Sequence, residues 1–296
     1  MSETAQANGI EIAYETFGDP DDPALLLIMG LSTQLLHWRE GFCRMLAERG
    51  FHVIRFDNRD IGLSTKLDDA PLPDVVAALQ GDTSSASYTL DDMADDTAGL
   101  LDALGIDEAH VVGASMGGMI AQTLAGRGPD RVLSLVSIMS TTGAQGVGQP
   151  RPEIVGPVLL SRPPSERDAY LDDVVEKWRL ISSPGYPPDE AELRELAGAA
   201  YDRSYHPIGT GRQLLAIIAS GDRTEALRSL DVPTLVIHGA DDPLIDVSGG
   251  RATAEAIPGA ELMVIDGMGH DLPRELWPRL VDAITEHARK AAAQAV

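Results

Sequence analysis

Cysteine, basic residues and long apolar runs are all scarce in this chain of 296 residues. Cys43 is the only cysteine, so no internal disulfide can form, and its neighbours Phe42 and Met45 suggest a helix packing face rather than a reactive thiol. No segment reaches the ~18 consecutive apolar residues that a membrane-spanning helix needs. Residues 1–4 carry neither the basic charge nor the apolar run of a secretory signal, so we expect a cytoplasmic protein.

The shortage of basic residues produces a strong charge bias. Lysine and arginine number 23 against 46 aspartates and glutamates, which gives a formal net charge of −23. Such a charge disfavours nucleic acid and anionic membranes as partners and repels acidic ligands, whereas neutral or cationic small molecules are not repelled. The chain also lacks the His/Glu or Cys/His spacing of a zinc site, so we expect no metal. A small molecule is the expected partner, and the sequence leaves the oligomeric state open.

A G-x-S-x-G motif is the most informative feature that is present. Ser115 lies between a β-branched apolar run, AHVVGA at 109–114, and MIAQTLAGR at 119–127, which has the apolar spacing of a helix. The turn at such a serine is so sharp that the positions two residues away on either side have room for almost no side chain, and Gly113 and Gly117 meet that requirement. The pattern predicts that Ser115 projects its hydroxyl from a strand-to-helix turn as a nucleophile.

A serine hydroxyl needs a base and an orienting carboxylate, which follow such a serine in the order acid, then histidine, each on a loop after a strand. Residues 232–239 have a buried-strand pattern, and the loop that follows contains Asp241 and Asp242. We predict that Asp242 is the acid. Asp241 is the main alternative, and Asp266 is a further competitor.

The base is expected on the loop after the next strand. Residues 260–265 have a strand pattern and continue into the sequence DGMGH, which ends at His270. The flanking glycines suit a tight loop at a strand end, where functional side chains concentrate. His270 is therefore the predicted base. The other histidines are interpreted as surface or packing residues; they are His37, His52, His110, His206, His238 and His287.

Strands alternate with helical segments along most of the chain. This order predicts a mostly parallel sheet with helices on both faces, and a hydrophobic content of 44% suffices for one large α/β core. No buried-strand run occurs between about 142 and 230, where helical stretches alternate with prolines. The expected elements are strands within 10–30, at 52–57 and at 132–139, a helix at 35–49, and a helix opened by Thr89 with Asp92 in capping-box position.

Several blocks of the chain resemble those of the α/β-hydrolase superfamily, and the resemblance covers nearly the whole length. The blocks are LLLIMGL at 25–31, VIRFDNRDIGLST at 53–65, YTLDDMADD at 88–96, HVVGASMGGMIAQ at 110–122, PTLVIHGADDPL at 233–244 and DGMGHDLP at 266–273. Within the superfamily the chain resembles actinobacterial serine esterases: the blocks are similar to those of the LipG-type lipase/esterases and, somewhat more distantly, to those of the aclacinomycin methylesterases. The resemblance implies an α/β-hydrolase fold with Ser115 as nucleophile, Asp242 as acid and His270 as base.

Two backbone N–H groups must stabilise the oxyanion that forms during such a reaction. The first is predicted from geometry to be that of Met116, which follows the nucleophile at the positive end of a helix. The resemblance implies that Leu31 supplies the second, with Gly30 keeping the turn open. Met29 replaces a histidine found in many relatives, but this change leaves the backbone donors unaffected.

The resemblance also assigns two further regions. The D-x-R-x-x-G-x-S turn is interpreted as structural, with Asp57 and Arg59 holding neighbouring loops, although contact with substrate is an alternative. The segment 142–230 resembles the mainly helical cap of the superfamily, which leaves 1–141 and 231–296 as the core domain. Candidates for the underside of this cap, for which simple packing is an equal alternative, are Trp178, Tyr186, Tyr201, Tyr205 and His206.

These observations predict a serine carboxylic-ester hydrolase that acts on small to medium neutral esters through an acyl-enzyme. It needs no cofactor, because backbone dipoles polarise the carbonyl. Two alternatives of different kinds remain. The same three side chains also serve C–C bond hydrolases, enol-lactonases and perhydrolases, since the fold does not determine the bond that is cleaved. A non-catalytic ligand-binding relative is the other alternative.

Overall fold

A central sheet of eight strands organises the computed structural model, which describes residues 2–294. The strands are β1 (Glu3–Ala7), β2 (Ile10–Phe17), β3 (Ala24–Ile28), β4 (His52–Phe56), β5 (Ala109–Ala114), β6 (Val132–Ile138), β7 (Thr234–Gly239) and β8 (Glu261–Ile265). Their order across the sheet is β1-β2-β4-β3-β5-β6-β7-β8. β1 pairs with β2 and β2 with β4 in antiparallel fashion, and all other neighbours are parallel. The mostly parallel α/β-hydrolase sheet predicted from the sequence is confirmed.

Helices cover both faces of this sheet. The helices in the described part of the chain are α1 (Glu40–Ala47), α2 (Val75–Leu79), α3 (Leu90–Ala103), α4 (Met116–Arg127), α5 (Pro152–Ile154), α6 (Arg167–Ile181), α7 (Glu190–Arg203), α8 (Pro207–Ser220), α9 (Thr224–Arg228), α10 (Ser248–Ala256) and α11 (Trp277–Gln294); among them, α3 and α4 pack on one face and α1 and α11 on the other. Short 3₁₀ turns lie at Leu35–His37, Pro129–Arg131 and Arg274–Leu276, and a π-helical turn at Val155–Leu160. No helix within residues 2–294 is both long enough and apolar enough to cross a membrane.

Each buried strand contributes to two apolar cores, because successive side chains point to opposite faces. In β3, Leu26 and Ile28 join the core formed with α3 and α4, whereas Leu25 and Leu27 join the core formed with α1 and α11. This accounts for the near-continuous apolar run at 25–28, which is typical of a parallel strand buried on both faces. The two cores fix the sheet between its helices, so the loops at the carboxyl edge start from rigid positions.

Two local predictions need correction. The strand β1 was not predicted; it forms a hairpin with β2 through Asn8 and Gly9, both with positive φ (48° and 78°). The helix predicted at 35–49 is instead a 3₁₀ turn followed by α1. Between the two elements, the carbonyl of Trp38 accepts a hydrogen bond from the buried Arg55 guanidinium.

Other predictions hold. α3 begins at Leu90, and the Asp92 carboxylate accepts a hydrogen bond from the Thr89 amide at 2.8 Å, as expected for a capping box. The segment 142–230, between β6 and β7, contains α5 to α9 and no strand. The carboxyl ends of β3, β5, β6, β7 and β8 all lie along one edge of the sheet, since these strands are parallel. Side chains that follow those ends are therefore brought together.

Candidate active site

Ser115 occupies a strained turn between β5 and α4. Its backbone has φ 57° and ψ −121°, a conformation that a residue with a side chain rarely adopts. The neighbouring strand holds it in place: the Ser115 amide donates to the Ile138 carbonyl at 2.9 Å, and its carbonyl accepts from the Ser140 hydroxyl at 2.9 Å. Strain of about 1–3 kcal/mol is thus sustained by surrounding hydrogen bonds, and the side chain remains only partly buried.

The two glycines of the motif permit the close approach that this turn requires. A Cβ atom on Gly113 would lie 2.1 Å from the carbonyl oxygen of Gly117. A Cβ atom on Gly117 would lie 2.1 Å from the carbonyl oxygen of Ile28 at the end of β3. Any larger residue would separate α4 from the strands beneath it, which explains the G-x-S-x-G spacing in physical terms.

Ser115, His270 and Asp242 form one hydrogen-bonded line. His270 Nε2 lies 3.0 Å from Ser115 Oγ, and His270 Nδ1 lies 2.7 Å from Asp242 Oδ2. Because a carboxylate only accepts, the partners place the imidazole proton on Nδ1 and leave the Nε2 lone pair facing the serine hydroxyl. The structure therefore brings together the three side chains that the sequence predicted, in the geometry of a nucleophile, a base and an orienting acid.

Asp242 is buried, and each of its two carboxylate oxygens has a hydrogen-bond donor beside it. Its Oδ1 accepts the amides of Leu244 and Ile245, each at 2.9 Å, while Oδ2 faces His270. The two amides belong to the turn that follows the aspartate, so the loop after β7 fixes its own carboxylate. This leaves one carboxylate oxygen directed at the imidazole.

A second histidine, His238, lies beside the same carboxylate. Its Nε2 is 2.8 Å from the Ile245 carbonyl and 3.6 Å from Asp242 Oδ2. Since a carbonyl only accepts, Nε2 carries a proton and donates it to Ile245. Burial lowers the pKa of His238, which favours the neutral form of this ring. His238 packs against the acid and is not aligned with the serine, in agreement with its interpretation as a packing residue.

The competing aspartates have different positions. Asp241 Oδ2 accepts the Gly267 amide at 2.9 Å, and the Asp241 amide donates to the Met268 carbonyl at 3.0 Å. Asp241 thus connects the loop after β7 to the turn that carries His270, without a hydrogen bond to the imidazole. Asp266 is exposed. The sequence prefers Asp242 and keeps Asp241 as the alternative acid; in the structure the carboxylate that bonds to the His270 ring is that of Asp242.

The predicted oxyanion donors lie next to Ser115. Within residues 2–294, neither the Leu31 amide nor the Met116 amide has a hydrogen-bond partner, and Met116 is the first residue of α4. The loop that carries Leu31 is close to the serine, since a Cβ atom built on Gly30 would lie 3.0 Å from Ser115 Cβ. Two free N–H groups beside the nucleophile have the arrangement that stabilises a developing negative charge.

Two residues that the sequence did not reveal hold this oxyanion loop. Asn58 Nδ2 donates to the Met29 carbonyl at 2.9 Å, and Gln213 Oε1 of α8 accepts the Ser32 amide at 3.0 Å. The Ser32 amide is therefore occupied, whereas the neighbouring Leu31 amide has no partner among the described residues. Asn58 lies within the D-x-R-x-x-G-x-S turn, so that motif could have indicated it. Nothing in the local sequence indicates a role for Gln213.

The D-x-R-x-x-G-x-S turn is engaged in internal contacts. Arg59 makes two hydrogen bonds of 2.6 Å to the Asp96 carboxylate, and both are buried. Asp57 accepts the Leu35 amide at 2.8 Å and Arg203 Nη1 at 2.6 Å. These contacts hold neighbouring loops, as the structural interpretation predicted.

The aromatic candidates of segment 142–230 are largely engaged in packing. The rings of Tyr201 and Tyr205 lie 5.0 Å apart at an interplanar angle of 41°, and their hydroxyls donate to the carbonyls of Ser165 and Pro164. Trp178 stacks on His37 at 6.1 Å. His206 lies 3.8 Å from Asp60. Tyr186 packs against the core and lies beside Gly267, which belongs to the turn that leads to His270.

No cluster of three or more potential metal-ligating His, Cys, Asp or Glu side chains occurs within residues 2–294. The hydrogen bonds among Ser115, His270 and Asp242 can support nucleophilic attack by a serine assisted by a histidine. Both reacting groups are protein side chains, and both electrophilic donors are backbone amides.

Comparisons with known proteins show the family of this chain. The chain matches the family model of the alpha/beta hydrolase fold over residues 23–155 and 158–273. Rhodomycin D methylesterase DauP of Streptomyces sp. (strain C5) is 33% identical over 299 aligned positions, and DnrP of Streptomyces peucetius, of the same activity, is 32% identical; each alignment covers 94% of both proteins. A mutant of the meta-cleavage product hydrolase CumD from Pseudomonas fluorescens IP01 superposes with a TM-score of 0.76 at 22% identity, over 98% of both chains. This chain belongs to the α/β-hydrolase fold family.

Proposed function

We propose that this protein is a serine carboxylic-ester hydrolase that acts through an acyl-enzyme on Ser115. The observation that carries the proposal is the continuous hydrogen-bonded line from Asp242 through His270 to Ser115, at distances of 2.7 and 3.0 Å. Two relatives that are 33% and 32% identical to this chain are named methylesterases, which supports an ester-hydrolysing enzyme. Strain at the serine supports a chemical role as well, because such conformations concentrate at functional sites.

In the first half of the reaction, Ser115 Oγ attacks the ester carbonyl carbon while His270 Nε2 takes the hydroxyl proton. Asp242 holds the imidazole in the required tautomer and stabilises the imidazolium that forms. The tetrahedral oxyanion receives the Leu31 and Met116 amides. His270 then gives its proton to the leaving alkoxide, the C–O bond breaks, and an alcohol departs from an acyl-serine.

In the second half, His270 takes a proton from water, and the hydroxide oxygen attacks the acyl carbon. The same two amides stabilise the second oxyanion. Collapse returns the proton from His270 to Ser115 Oγ and releases a carboxylic acid. The balance is one water consumed per ester, so no cofactor takes part in either step.

The substrate class we propose is small to medium neutral esters. A formal net charge of −23 disfavours acidic substrates at long range. Residues 142–230 act as a cap on a core of 1–141 and 231–296 in this proposal. Contacts from this segment to two loops of the core support the cap. Gln213 accepts the Ser32 amide in the loop after β3, and the Ile181 carbonyl accepts the His270 amide, in the loop after β8, at 2.7 Å.

The first test is hydrolysis of p-nitrophenyl acetate, butyrate, octanoate and palmitate by the wild type and by Ser115→Ala. Ser134→Ala is a matched control, since Ser134 is also a serine hydrogen-bonded to a histidine but lies buried inside the sheet. Activity that is lost in Ser115→Ala and retained in Ser134→Ala would support the proposal, and the chain-length profile would measure the acyl pocket.

A C–C bond hydrolase is the second candidate, because the same side chains serve that reaction and the CumD neighbour has this activity in its name. Meta-cleavage products turned over far faster than every ester would replace the esterase assignment. A ligand bound tightly with no turnover of any substrate would favour a binding protein.

A further inference from the structure

The turn that carries His270 lies against the chain segment between α6 and α7. The His270 amide donates to the Ile181 carbonyl at 2.7 Å, and the Gly185 amide donates to the Gly267 carbonyl at 2.9 Å. The two backbones touch directly, since a Cβ atom on Gly269 would lie 2.6 Å from the carbonyl carbon and oxygen of Ser182. The position of the His270 turn therefore depends on residues 181–185.

Ser183 binds the residues on both sides of His270. The Gly269 amide donates to Ser183 Oγ at 2.8 Å. The Ser183 hydroxyl donates to Asp271 Oδ1, and the Ser183 amide donates to the same oxygen at 3.0 Å. Both side chains are buried, with exposed fractions of 1% for Ser183 and 8% for Asp271. One serine thus joins the residue before the histidine to the residue after it.

These contacts leave little freedom to the backbone of the histidine. Residues 269, 270 and 271 each make a hydrogen bond to residues 181–183. The imidazole is attached to this backbone through one Cβ, so a shift of the turn moves Nε2 relative to Ser115 Oγ. Displacement by about 1 Å is enough to cost 10²-fold in rate when catalytic groups are misaligned.

We propose that Ser183 and Asp271 are positioning residues that hold the His270 imidazole in line with Ser115, an inference that rests on the proposed function. They act through the backbone of Gly269 and Asp271 and touch neither the serine hydroxyl nor the substrate. Asp271 directly follows the histidine in sequence, but its partner lies 88 residues earlier. The catalytic base is thereby held by the segment between two helices of the 142–230 region.

The experiment compares Ser183→Ala, Asp271→Ala and Asp271→Asn with the wild type on the best p-nitrophenyl ester. Ser183→Ala removes the acceptor of the Gly269 amide and the hydroxyl donor to Asp271; we expect kcat to fall by about 10- to 100-fold with KM within about twofold. Asp271→Ala should give a similar loss. Asp271→Asn keeps an Oδ1 acceptor for both Ser183 donors and should retain kcat close to that of the wild type. Ser134→Ala is the control for removal of a buried serine hydrogen bond.

A second measurement reads the histidine directly. The low-field proton resonance of His270 Nδ1–H, assigned by its loss in His270→Gln, should shift or broaden in Ser183→Ala and Asp271→Ala and remain unchanged in Asp271→Asn and Ser134→Ala. A wild-type resonance and a kcat within twofold of wild type in folded Ser183→Ala or Asp271→Ala would overturn the positioning role. A loss of thermal stability with an unmoved resonance would likewise reduce these residues to a structural role. If Ser183→Ala does not fold, the two Asp271 variants decide. If the wild type hydrolyses no ester, the proposed function fails, while the resonance still tests whether Ser183 and Asp271 position the imidazole.

Discussion

Two serine–histidine hydrogen bonds lie at opposite ends of β5. Near the amino end of the strand, His110 Nδ1 is 2.8 Å from Ser134 Oγ of β6; beyond the carboxyl end, His270 Nε2 is 3.0 Å from Ser115 Oγ. The shorter contact belongs to the pair for which we propose no chemistry. A serine–histidine distance therefore does not distinguish a nucleophile from a structural contact.

The surroundings of the two pairs differ in the ways that matter for reactivity. His110 packs edge-on against the Phe51 ring at 5.7 Å, and no described carboxylate accepts a hydrogen bond from its ring, whereas His270 is oriented by Asp242. Burial lowers the pKa of His110 to about 4, so its ring is neutral near pH 7. Ser134 is 1% exposed, which leaves no space for a substrate. Reactivity requires the acid, the free amides and access together with the serine–histidine contact.

The position on the sheet accounts for this difference. His110 and Ser134 are paired residues within two parallel strands, so both are enclosed by neighbouring strands and helices. Ser115 follows the end of its strand, where loops after β3, β7 and β8 also meet. Functional groups from distant parts of the chain collect at such a carboxyl edge.

The largest expected effect comes from removal of the nucleophile. Ser115→Ala should lower kcat for ester hydrolysis by roughly 10⁶-fold, because no other group can form the acyl intermediate. Ser134→Ala should change kcat by less than about twofold. Steady-state kinetics on p-nitrophenyl butyrate measures both. Equal losses in the two variants would contradict the distinction between the pairs.

The second largest effect is expected at Asp242, the proposed acid of the Ser115–His270 pair. Asp242→Asn should lower kcat by about 10⁴-fold at unchanged fold, since an amide at this position favours the wrong tautomer of His270. Initial rates, with circular dichroism as the check on folding, test this prediction. Full activity in the variant would show that Asp242 does not orient the base.

Asp271, which follows His270, and His110 should make the free energy of unfolding depend on pH in opposite directions. Burial raises the pKa of Asp271 to about 6 from 3.8, against the opposing effects of the Ser183 donors and of His270. The folded state then binds more protons than the unfolded state between these values, so stability falls as pH rises from about 4 to about 6. For His110, whose pKa is lowered from 6.5 to about 4, the unfolded state binds more protons and stability rises over the same range.

Urea unfolding between pH 4 and pH 7 separates these contributions. Asp271→Asn should gain stability relative to the wild type as the pH rises, by up to about 3 kcal/mol, since each pKa unit corresponds to about 1.4 kcal/mol. His110→Asn lacks the contribution of His110, so its free energy of unfolding should fall less than that of the wild type as the pH is lowered. Parallel stability curves for Asp271→Asn and the wild type would contradict the raised pKa.

The smallest effect is expected at Asp241, the aspartate beside the acid. Asp241→Asn should lower kcat by no more than about tenfold, because an asparagine oxygen can still accept the Gly267 amide that Asp241 binds at 2.9 Å. Asp242→Asn in the same assay is the matched control, because the two variants make the same substitution at adjacent positions of one loop. A larger loss at 241 than at 242 would exchange the roles of the two aspartates.

Much of the fold follows from local patterns. The apolar run at 25–28, the Thr89 and Asp92 cap and the alternation of strands with helices predict the core that the structure contains. β1 was missed because a five-residue edge strand with polar residues has no strong pattern of its own and is defined by pairing with β2. The break between the 3₁₀ turn and α1 was also missed; the Trp38 carbonyl at this break accepts a hydrogen bond from Arg55 of β4, which lies outside the segment 35–49.

The sequence by itself determined the sharp turn at Ser115 and the order in which the proposed acid and base follow it, since a turn between glycines and loops at strand ends are local properties of the chain. Only the tertiary structure decided which of Asp241 and Asp242 reaches the imidazole, because adjacent residues point in different directions and the loop geometry selects one. The partners Gln213 and Ser183 likewise come from chain segments 181 and 86 residues away from the groups that they hold. Long-range hydrogen bonds of this kind depend on packing between elements, and no local spacing encodes them.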